Sequence, residues 1–497
     1  MNVSTSGSWA DRARQLSIEG RAFIDGSYRA ALSGKTFANV NPATGRVLTE
    51  VAACDAEDVE LAARSARQAF ESGVWARMAP VERKRILLKF SELMSTHREE
   101  LALLESLDVG KPITNALNGD LPSAIGCIQW YAEAIDKLYG EVAPTAPDLT
   151  AMVVREPIGV VAAVVPWNYP LSMASWKLGP ALAAGNSVIL KPAEQSPLTA
   201  IRIAALGMEA GLPPGVLNVV PGFGETAGQA LGRHMDVDAV GFTGSTEVGK
   251  LFMRYSGESN IKRIGLECGG KSPHIVLADC DDLDGAARAV AAGIFGNVGQ
   301  VCNAGSRLIV EEPIRDALLE RVVAIARELK PGDPLDPATR LGAIVSSAQL
   351  SSVLQHVQRG KDEGARVLTG GERVLAETGG FFMAPTVFDR VDNGMRLAQE
   401  EIFGPVLATI TVDGLDQALA VANNTIYGLA AGIWTRDIRK AQKASKALRA
   451  GVVWINCFDK GNMSAPFGGF KQSGFGRDKS MHAFDKYMDW KAVWTAA

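Results

Sequence analysis

The fold is decided by residues 158–192, which read IGVVAAVVPWNYPLSMASWKLGPALAAGNSVILKP. The run IGVVAAVVP is almost entirely apolar and has the length of one strand, and NSVILKP has the same character. Between them, SMASWKLGPALAAG has the small and apolar residues of a buried helix. Apolar strands joined by a helix are typical of a parallel sheet that is covered on both faces. The stretch therefore predicts a βαβ unit.

The same alternation continues along the chain. It runs through SPLTAIRIAALGMEAG (helix), GVLNVVPG (strand), ETAGQALGRHM (helix), VDAVGFTG (strand) and STEVGKLFMRYS (helix). A second alternating region covers residues 270–469, and residues 56–110 have the apolar spacing of scaffold helices. We expect an α/β protein with a doubly wound, nucleotide-binding type of sheet followed by a second α/β domain.

Composition excludes several classes of protein. A chain of 497 residues is too long for one ordinary core. The 51 basic and 55 acidic residues give a net charge of −4, and no basic block predicts a nucleic-acid partner. The longest apolar stretch is well short of the ~18 residues of a membrane span, and residues 1–15 lack the apolar core of a secretory signal. The six cysteines have no CxxC or zinc-like spacing, so we expect free thiols, no metal and a cytoplasmic location.

Three short motifs contain the residue types of covalent catalysis. Residues 295–307, FGNVGQVCNAGSR, include Cys302; LECGGKS includes Glu267; PWNYP includes Asn168. A thiol can act as nucleophile, a carboxylate as base and an amide as oxyanion donor, so the three residues could serve one pocket. A cysteine considered alone is more often a small buried hydrophobic residue.

Together, and in this order, the three motifs resemble those of the aldehyde dehydrogenase superfamily, and the resemblance extends from about residue 18 to the C-terminus. It implies a Rossmann-type cofactor domain (residues 1–139 and 158–268) and a catalytic domain (residues 269–470), each doubly wound. It also implies a β-strand oligomerisation arm made of residues 140–157 and 478–497. An arm strand needs a partner at its edge, so we expect a homo-oligomer, either a dimer or a tetramer.

A dinucleotide site is predicted where strands of the first sheet end. Gly222, Gly224 and Gly228 form only a loose GxGxxxG pattern, which is often ordinary turn chemistry. The sequence FTGSTEVG is the better candidate, because Ser245 can cap a helix whose free N–H groups would bind a pyrophosphate. The alternative is a capped helix without a ligand.

The resemblance implies NAD as the cofactor. In the family, the lysine and glutamate of KPAEQSP contact the adenosine ribose, and here they are Lys191 and Glu194. An acidic side chain there repels a 2′-phosphate, which favours NAD over NADP. By the same resemblance, Glu401 contacts the nicotinamide ribose and Phe403 packs beside the ring. The predicted cofactor-binding residues are Val164, Pro166, Trp167, Lys191, Glu194, Gly224, Gly228, Phe242, Gly244, Ser245, Val248, Leu266, Glu401 and Phe403.

The family mechanism assigns a role to each residue of the three motifs. Cys302 attacks the aldehyde as a thiolate, and the side-chain amide of Asn168 and the backbone N–H of Cys302 stabilise the oxyanion. After hydride transfer, Glu267 activates the water that hydrolyses the thioester. The presence of Glu267 argues against the family branch that transfers its thioester to coenzyme A.

The substrate pocket is expected to be apolar and aromatic. Met173 and Trp176 lie one turn apart on the helix after PWNYP, and the resemblance adds Val301 and Phe458. By their position in the resembled family, Asp120 and Asp459 are expected near the tunnel mouth, where carboxylates would attract a cationic ω-amino or guanidino group. The alternative is that both are solvated surface charges.

The closing run KQSGFGRDKSMHAFDKY resembles one branch of the family. That branch oxidises γ-aminobutyraldehyde-type compounds, including γ-glutamylated and guanidino forms, from polyamine or arginine breakdown. We therefore expect an ω-amino or ω-guanidino aldehyde as substrate. Two alternatives stay open: a broad-range aldehyde dehydrogenase whose preference is set by hydrophobicity, and a structural or binding protein that has this fold without turnover.

Overall fold

The computed structural model describes residues 7–496, and its first third consists of helices around short strands. Up to residue 157 the elements are α1 (Trp9–Gln15), β1 (Ala22–Ile24), β2 (Ser27–Arg29), β3 (Thr36–Asn41), β4 (Arg46–Ala52), α2 (Ala56–Ser72), α3 (Pro80–Thr96), α4 (Arg98–Val109), α5 (Ile113–Asn115), α6 (Leu121–Ala134), β5 (Glu141–Ala143) and β6 (Leu149–Pro157). The N-cap of helix α2 is Asp55, whose side chain accepts a hydrogen bond from the N–H of Glu57. Its C-cap is Gly73, which has a left-handed backbone conformation. The helices predicted from the apolar spacing of residues 56–110 are confirmed.

The predicted alternation of strands and helices is also confirmed in the next segment. Its elements are β7 (Val160–Val164), α7 (Pro170–Ala184), β8 (Ser187–Lys191), α8 (Leu198–Ala210), β9 (Leu217–Val219), α9 (Gln229–Arg233), β10 (Ala239–Gly244), α10 (Thr246–Gly257) and β11 (Arg263–Cys268). Strands β9, β8, β7, β10 and β11 are parallel neighbours in that order. The chain leaves β7 on one side through β8 and β9 and then crosses to the other side with β10. Open α/β sheets bind ligands at such a switch point, outside the carboxyl ends of the strands.

A second sheet of mainly parallel strands follows. The elements are β12 (Pro273–Val276), α11 (Leu283–Phe295), β13 (Arg307–Glu311), α12 (Arg315–Glu328), α13 (Ser347–Asp362), β14 (Arg366–Thr369), β15 (Arg373–Val374), β16 (Phe382–Met383), β17 (Thr386–Asp389), α14 (Arg396–Gln399), β18 (Val406–Val412), α15 (Leu415–Asn423), β19 (Ala430–Trp434), α16 (Ile438–Ala447), β20 (Val452–Ile455), β21 (Gly474–Phe475) and β22 (Met488–Ala496). The strand order is β14-β17-β18-β13-β12-β19-β20, and all neighbours except β14 and β17 are parallel. The α/β class with two sheets is therefore confirmed.

The predicted arm is a three-stranded antiparallel sheet in the order β22-β6-β5. Strands β6 and β22 pair along nine residues each, from Met488 opposite Pro157 to Ala496 opposite Leu149. The sheet exposes large apolar side chains, including Val142 and Trp494, which are 75% and 63% exposed. Exposed apolar area on a sheet with a free edge is what an oligomerisation arm requires.

Helix α7 is the centre of the largest hydrophobic cluster, and all 15 of its residues are buried. One of them is Lys177, whose charge is paired with Asp478, and Asp478 also pairs with Lys486. A buried charge requires such partners, because an unpaired one would cost several kcal/mol. The C-terminal loop is thus fastened to helix α7 by the ion pair of Lys177 with Asp478, and β21 adds antiparallel to the edge strand β11. Within residues 7–496, no helix combines the length and apolarity needed to cross a membrane.

Candidate active site

A cavity of about 850 Å³ opens beside the carboxyl ends of β7, β10 and β11. Loops of the second sheet form its other wall. The predicted residues that line it are Asp120, Pro166, Trp167, Asn168, Met173, Trp176, Gly244, Ser245, Glu267, Val301, Cys302, Glu401, Phe403 and Asp459. The structure thus brings together the three motifs that are far apart in the sequence.

Cys302 follows a kinked turn that requires a glycine at position 299. Asn297, Val298 and Gly299 all have positive φ, and a Cβ on Gly299 would lie 2.0 Å from the carbonyl oxygen of Gly404. Burial raises the pKa of the Cys302 thiol well above its usual range, and the carboxylate of Glu267 raises it further. Burial therefore favours the neutral thiol over the thiolate.

The side chain of Asn168 is oriented by hydrogen bonds. Its Nδ2 donates to the backbone carbonyl of Gln300, at 2.9 Å. Its own backbone carbonyl accepts from Lys111 Nζ at 3.1 Å and from Asn297 Nδ2 at 3.0 Å. The amide is only 5% exposed as a residue, and its second N–H remains for an oxygen of a bound substrate. This is the donor that an oxyanion hole requires.

Glu267 lies on β11 and is 3% exposed. Its Oε1 atom is buried and has no hydrogen-bond partner among residues 7–496. Burial raises the pKa of Glu267 to about 8, repulsion from Asp478 adds to the shift, and Lys177 opposes it. A buried carboxyl with a raised pKa and a free oxygen has the properties of a general base.

The switch point between β7 and β10 is suited to a dinucleotide. Ser245 is the N-cap of the 12-residue helix α10 and accepts a hydrogen bond from the N–H of Val248, at 3.3 Å. The first N–H groups of a helix have no partner within it and are available to a phosphate. Trp167, after β7, and Phe403, from the opposite wall, form an edge-to-face pair with centroids 5.1 Å apart. Glu401 Oε1 accepts a hydrogen bond from the N–H of Gly270 at 3.2 Å.

Lys191, Glu194 and Gly228 form a separate group at the end of β8, and Gly224 begins the turn after β9 that ends at Gly228. Lys191 is buried, and its Nζ lies 4.0 Å from Glu194, whose side chain is 35% exposed. A Cβ on Gly228 would be 3.6 Å from Lys191 Cε, whereas one on Gly224 would meet nothing within 4 Å. The group does not line the cavity itself. It lies on the strand next to β7, where an extended ligand leaving the switch point would reach it.

Other predicted cofactor residues support the site from beneath or lie beside it. Phe242 and Leu266 belong to a hydrophobic cluster under α10, and Val164 is buried at the end of β7. A Cβ on Gly244 would lie 2.5 Å from the ring of Phe242, so this ring requires a glycine at the turn into α10. Val248 is 39% exposed on α10. These four side chains do not line the cavity.

Phe458, which was predicted for the substrate pocket, is packed beside the cavity and does not line it. Its ring stacks on His274, with centroids 4.5 Å apart, and it also contacts Trp454. The ring is therefore buried within the second sheet, and the aromatic residue of this loop that lines the cavity is Phe467. Phe467 packs edge-on against Trp176, with centroids 5.4 Å apart.

The two carboxylates expected at the tunnel mouth have different surroundings. Asp120 is 6% exposed and forms an ion pair with the buried Lys111. Asp459 is exposed and accepts a hydrogen bond from Asn303 Nδ2 at 2.8 Å. The charge of Asp120 is offset within the protein, whereas Asp459 remains open to a ligand. The sequence left two alternatives for Asp120, a carboxylate open to a cationic substrate group or a solvated surface charge. The structure matches neither, because Asp120 is buried and paired with Lys111.

Sequence reasoning missed Lys111, Phe467 and Lys479. Lys479 lines the cavity, with its Nζ 4.4 Å from the ring centroid of Trp176 and 5.4 Å from that of Phe467. In the sequence it follows Asp478 in a glycine-rich loop and has the pattern of an exposed charge. Only the packing of this loop against α7 turns its side chain towards the cavity.

Comparison with known proteins establishes the family. The sequence model of the aldehyde dehydrogenase family matches residues 28–493. The chain belongs to the aldehyde dehydrogenase family. It is thus an enzyme of aldehyde oxidation, in agreement with the thiol, amide and carboxylate in one cavity.

Three relatives span nearly the whole chain. The NADP/NAD-dependent aldehyde dehydrogenase PuuC of Escherichia coli is 52% identical over 494 residues, 99% of both chains. A solved indole-3-acetaldehyde dehydrogenase in complex with NAD+ is 56% identical, with a TM-score of 0.98, and covers 99% of this chain and 100% of its own. A solved γ-glutamyl-γ-aminobutyraldehyde dehydrogenase of Burkholderia cenocepacia is 55% identical, with a TM-score of 0.97, covering 98% and 99%. The expected resemblance to the γ-aminobutyraldehyde branch is confirmed.

Proposed function

We propose that this enzyme oxidises a short ω-amino or ω-guanidino aldehyde with NAD, in the breakdown of polyamines or arginine. The candidate substrates are 4-aminobutyraldehyde, 4-guanidinobutyraldehyde and γ-glutamyl forms. We assign the chemistry to Cys302, Asn168 and Glu267. The main support is that Cys302 shares one cavity with the oriented amide of Asn168 and with a buried Glu267 oxygen that has no partner.

In the first half of the reaction, the Cys302 thiol gives its proton to solvent water, and the resulting thiolate forms a bond to the aldehyde carbon. The aldehyde oxygen becomes an anion, and the free N–H of Asn168 and the backbone N–H of Cys302 donate hydrogen bonds to it. NAD, when bound at the switch point, accepts the hydride that this carbon loses. Collapse of the adduct leaves a thioester on Cys302.

In the second half, Glu267 as a carboxylate takes a proton from water. The water oxygen attacks the thioester carbon, the C–S bond breaks, and Cys302 leaves as a thiolate. The product is a carboxylic acid. Glu267 must be ionised to act, and its raised pKa means that the ionised fraction is still increasing above neutral pH. Thioester hydrolysis should therefore become faster as pH rises.

NAD is proposed as the cofactor from two observations. Solved relatives contain NAD+, and Glu194 lies beside Lys191 at the end of β8, where its charge would repel a 2′-phosphate. The relative PuuC is described as NADP/NAD-dependent, so we propose a preference for NAD and not an exclusion of NADP.

We propose that the substrate has an amino group because of the negative charge at the cavity mouth. Relatives at nearly equal identity act, by their names, on an indole aldehyde and on a γ-glutamyl amino aldehyde. Overall sequence identity therefore does not decide between these two classes of aldehyde substrate. Asp459, exposed at the mouth, is the residue that favours a positively charged group.

The test is the initial rate of NADH formation over a panel of aldehydes. The panel contains 4-aminobutyraldehyde, 4-guanidinobutyraldehyde, a γ-glutamyl form, succinic semialdehyde and butyraldehyde, with NADP as a cofactor control. A preference for the amino-containing aldehydes is expected. Equal rates across the panel, or a preference for butyraldehyde, would instead support a broad-range enzyme.

We also propose a cytoplasmic homo-oligomer, a dimer or a tetramer, that associates through the β22-β6-β5 sheet. The exposed apolar side chains of that sheet support this assembly. Trp494→Glu should shift the size-exclusion elution volume towards the monomer. Unchanged elution would contradict association through this sheet.

A further inference from the structure

The ammonium group of Lys479 has no partner of opposite charge bonded to it. Within the described part of the chain, it makes no hydrogen bond or ion pair, and its contacts are the rings of Trp176 and Phe467. The other lysines around this site, Lys111 and Lys177, are both paired with carboxylates. An ammonium has three N–H donors, so those of Lys479 are available to a ligand in the cavity.

The backbone around this lysine is strained. Lys479 and Ser480 have φ values of 57° and 50°, and Asp459 across the mouth has 54°. Residues other than glycine adopt this region at an energetic cost and do so where the surroundings impose it. Here the N–H of Ser480 donates to the Met463 carbonyl at 2.7 Å, and Tyr131 Oη donates to the Ser480 carbonyl at 3.1 Å. These hydrogen bonds hold the backbone beside Lys479, and the cavity has a side chain of each sign, Lys479 and Asp459, in its lining.

A simple ω-ammonium is a poor match for this end of the cavity. Asp459 would attract it, but Lys479 would repel it and already occupies the faces of Trp176 and Phe467 where a cation would stack. A group with both a positive and a negative charge satisfies both residues. An α-amino acid end has that pair of charges on one carbon.

We propose that Lys479 and Asp459 form a subsite for a zwitterionic α-amino acid group at the far end of the substrate. Lys479 binds the carboxylate and Asp459 binds the ammonium. The preferred aldehyde is then an amino aldehyde whose nitrogen is acylated, as in a γ-glutamyl form, and not one with a bare ammonium. This inference rests on the proposed function, because it chooses among the substrates named there.

Four aldehydes of one length separate the two charges. They are 4-aminobutyraldehyde acylated on nitrogen with a γ-glutamyl group (both charges), a glutaryl group (carboxylate only), a 4-aminobutanoyl group (ammonium only) and a butanoyl group (neither). Each is assayed for kcat/KM with NAD in the wild type, in Lys479→Met and in Asp459→Asn. Methionine keeps an unbranched apolar stem over Trp176 and removes only the charge.

Lys479→Met is expected to lower kcat/KM about tenfold for the γ-glutamyl and glutaryl aldehydes and to leave the butanoyl aldehyde within about twofold. Asp459→Asn is expected to lower the γ-glutamyl and 4-aminobutanoyl values in the same way. Lys479→Arg should restore the glutaryl value. Lys460→Met, which removes a positive charge on an exposed residue next to Asp459, should change none of them.

Two results would overturn the subsite. One is an equal change for all four aldehydes in Lys479→Met, which would indicate a structural role. The other is a wild-type enzyme that prefers unacylated 4-aminobutyraldehyde to the γ-glutamyl form, which would leave the proposed function intact. If butyraldehyde is oxidised faster than every amino aldehyde, the proposed function fails, and the ratio of glutaryl to butanoyl rates in Lys479→Met still reports on Lys479.

Discussion

Replacing Glu267 by glutamine separates the two halves of the reaction. The substitution keeps the size of the side chain but removes a base whose pKa is raised to about 8. Burial disfavours the charged carboxylate, so the base form accumulates only as pH rises. With a pKa of about 8, about one tenth of Glu267 is ionised at pH 7 and about nine tenths at pH 9. Thioester hydrolysis in the wild type should therefore accelerate about tenfold over that interval and level off above it.

Stopped-flow absorbance of NADH measures both phases in one trace. The burst reports acylation of Cys302, and the steady phase reports hydrolysis. Glu267→Gln should keep a burst of about one NADH per subunit, while the steady rate falls by about 10²–10⁴. The thioester should then be visible as a mass increase on the peptide that contains Cys302.

The burst rate of Glu267→Gln reports on the Cys302 thiol without the base, and it serves as a control because the pKa of Cys302 is raised as well. If the variant loses the burst and the steady rate by the same factor, Glu267 acts before the thioester forms, and the assigned role is wrong. A steady rate of the wild type that does not change between pH 7 and pH 9 would refute the raised pKa of the base.

Three further substitutions test other contacts of the site. Lys111→Met leaves Asp120 as a buried unpaired charge, so it should lower the free energy of unfolding by about 3 kcal/mol in denaturant titrations. It should also lower kcat, because the carbonyl of Asn168 loses a hydrogen-bond donor. An unchanged free energy of unfolding would contradict the ion pair. Gly299→Ala should abolish the burst and lower Tm, because its Cβ would lie 2.0 Å from a carbonyl oxygen, whereas Gly296→Ala, with nothing within 4 Å, should be tolerated; equal behaviour of the two would contradict the close approach. Glu194→Gln should raise kcat/KM for NADP relative to NAD by about tenfold, measured with one aldehyde at saturation; an unchanged ratio would place the ribose elsewhere.

The sequence predicted the chemistry because it resides in short motifs. Cys302, Glu267 and Asn168 each lie in a loop or strand end with distinctive neighbours, and the alternation of apolar strands and helices fixes which ends meet. Local sequence is sufficient for features of this kind. The pairing of the final strand with the arm was also expected, but from the family resemblance and not from the residues themselves.

The parts that could not be predicted depend on contacts between distant segments. Phe458 and Phe467 are both buried aromatic residues of one loop, but Phe458 stacks on His274 of the second sheet whereas Phe467 lines the cavity. The partner of Asp120 is nine positions away at Lys111, across a turn that combines a short helix with a wide π-type turn. Neither pairing has a sequence spacing that a rule would recognise.

The last part of the described chain closes the site. Gly474 pairs with Glu267 on the edge of the first sheet, Asp478 lies between two lysines, and Lys479 enters the cavity. Contacts between residues so far apart in sequence require the closure of a long loop, which slows their formation during folding. Without this segment docked, Lys177 would lose its partner Asp478, and the cavity would lose Lys479. We therefore expect aldehyde oxidation only in molecules in which the C-terminal segment has docked.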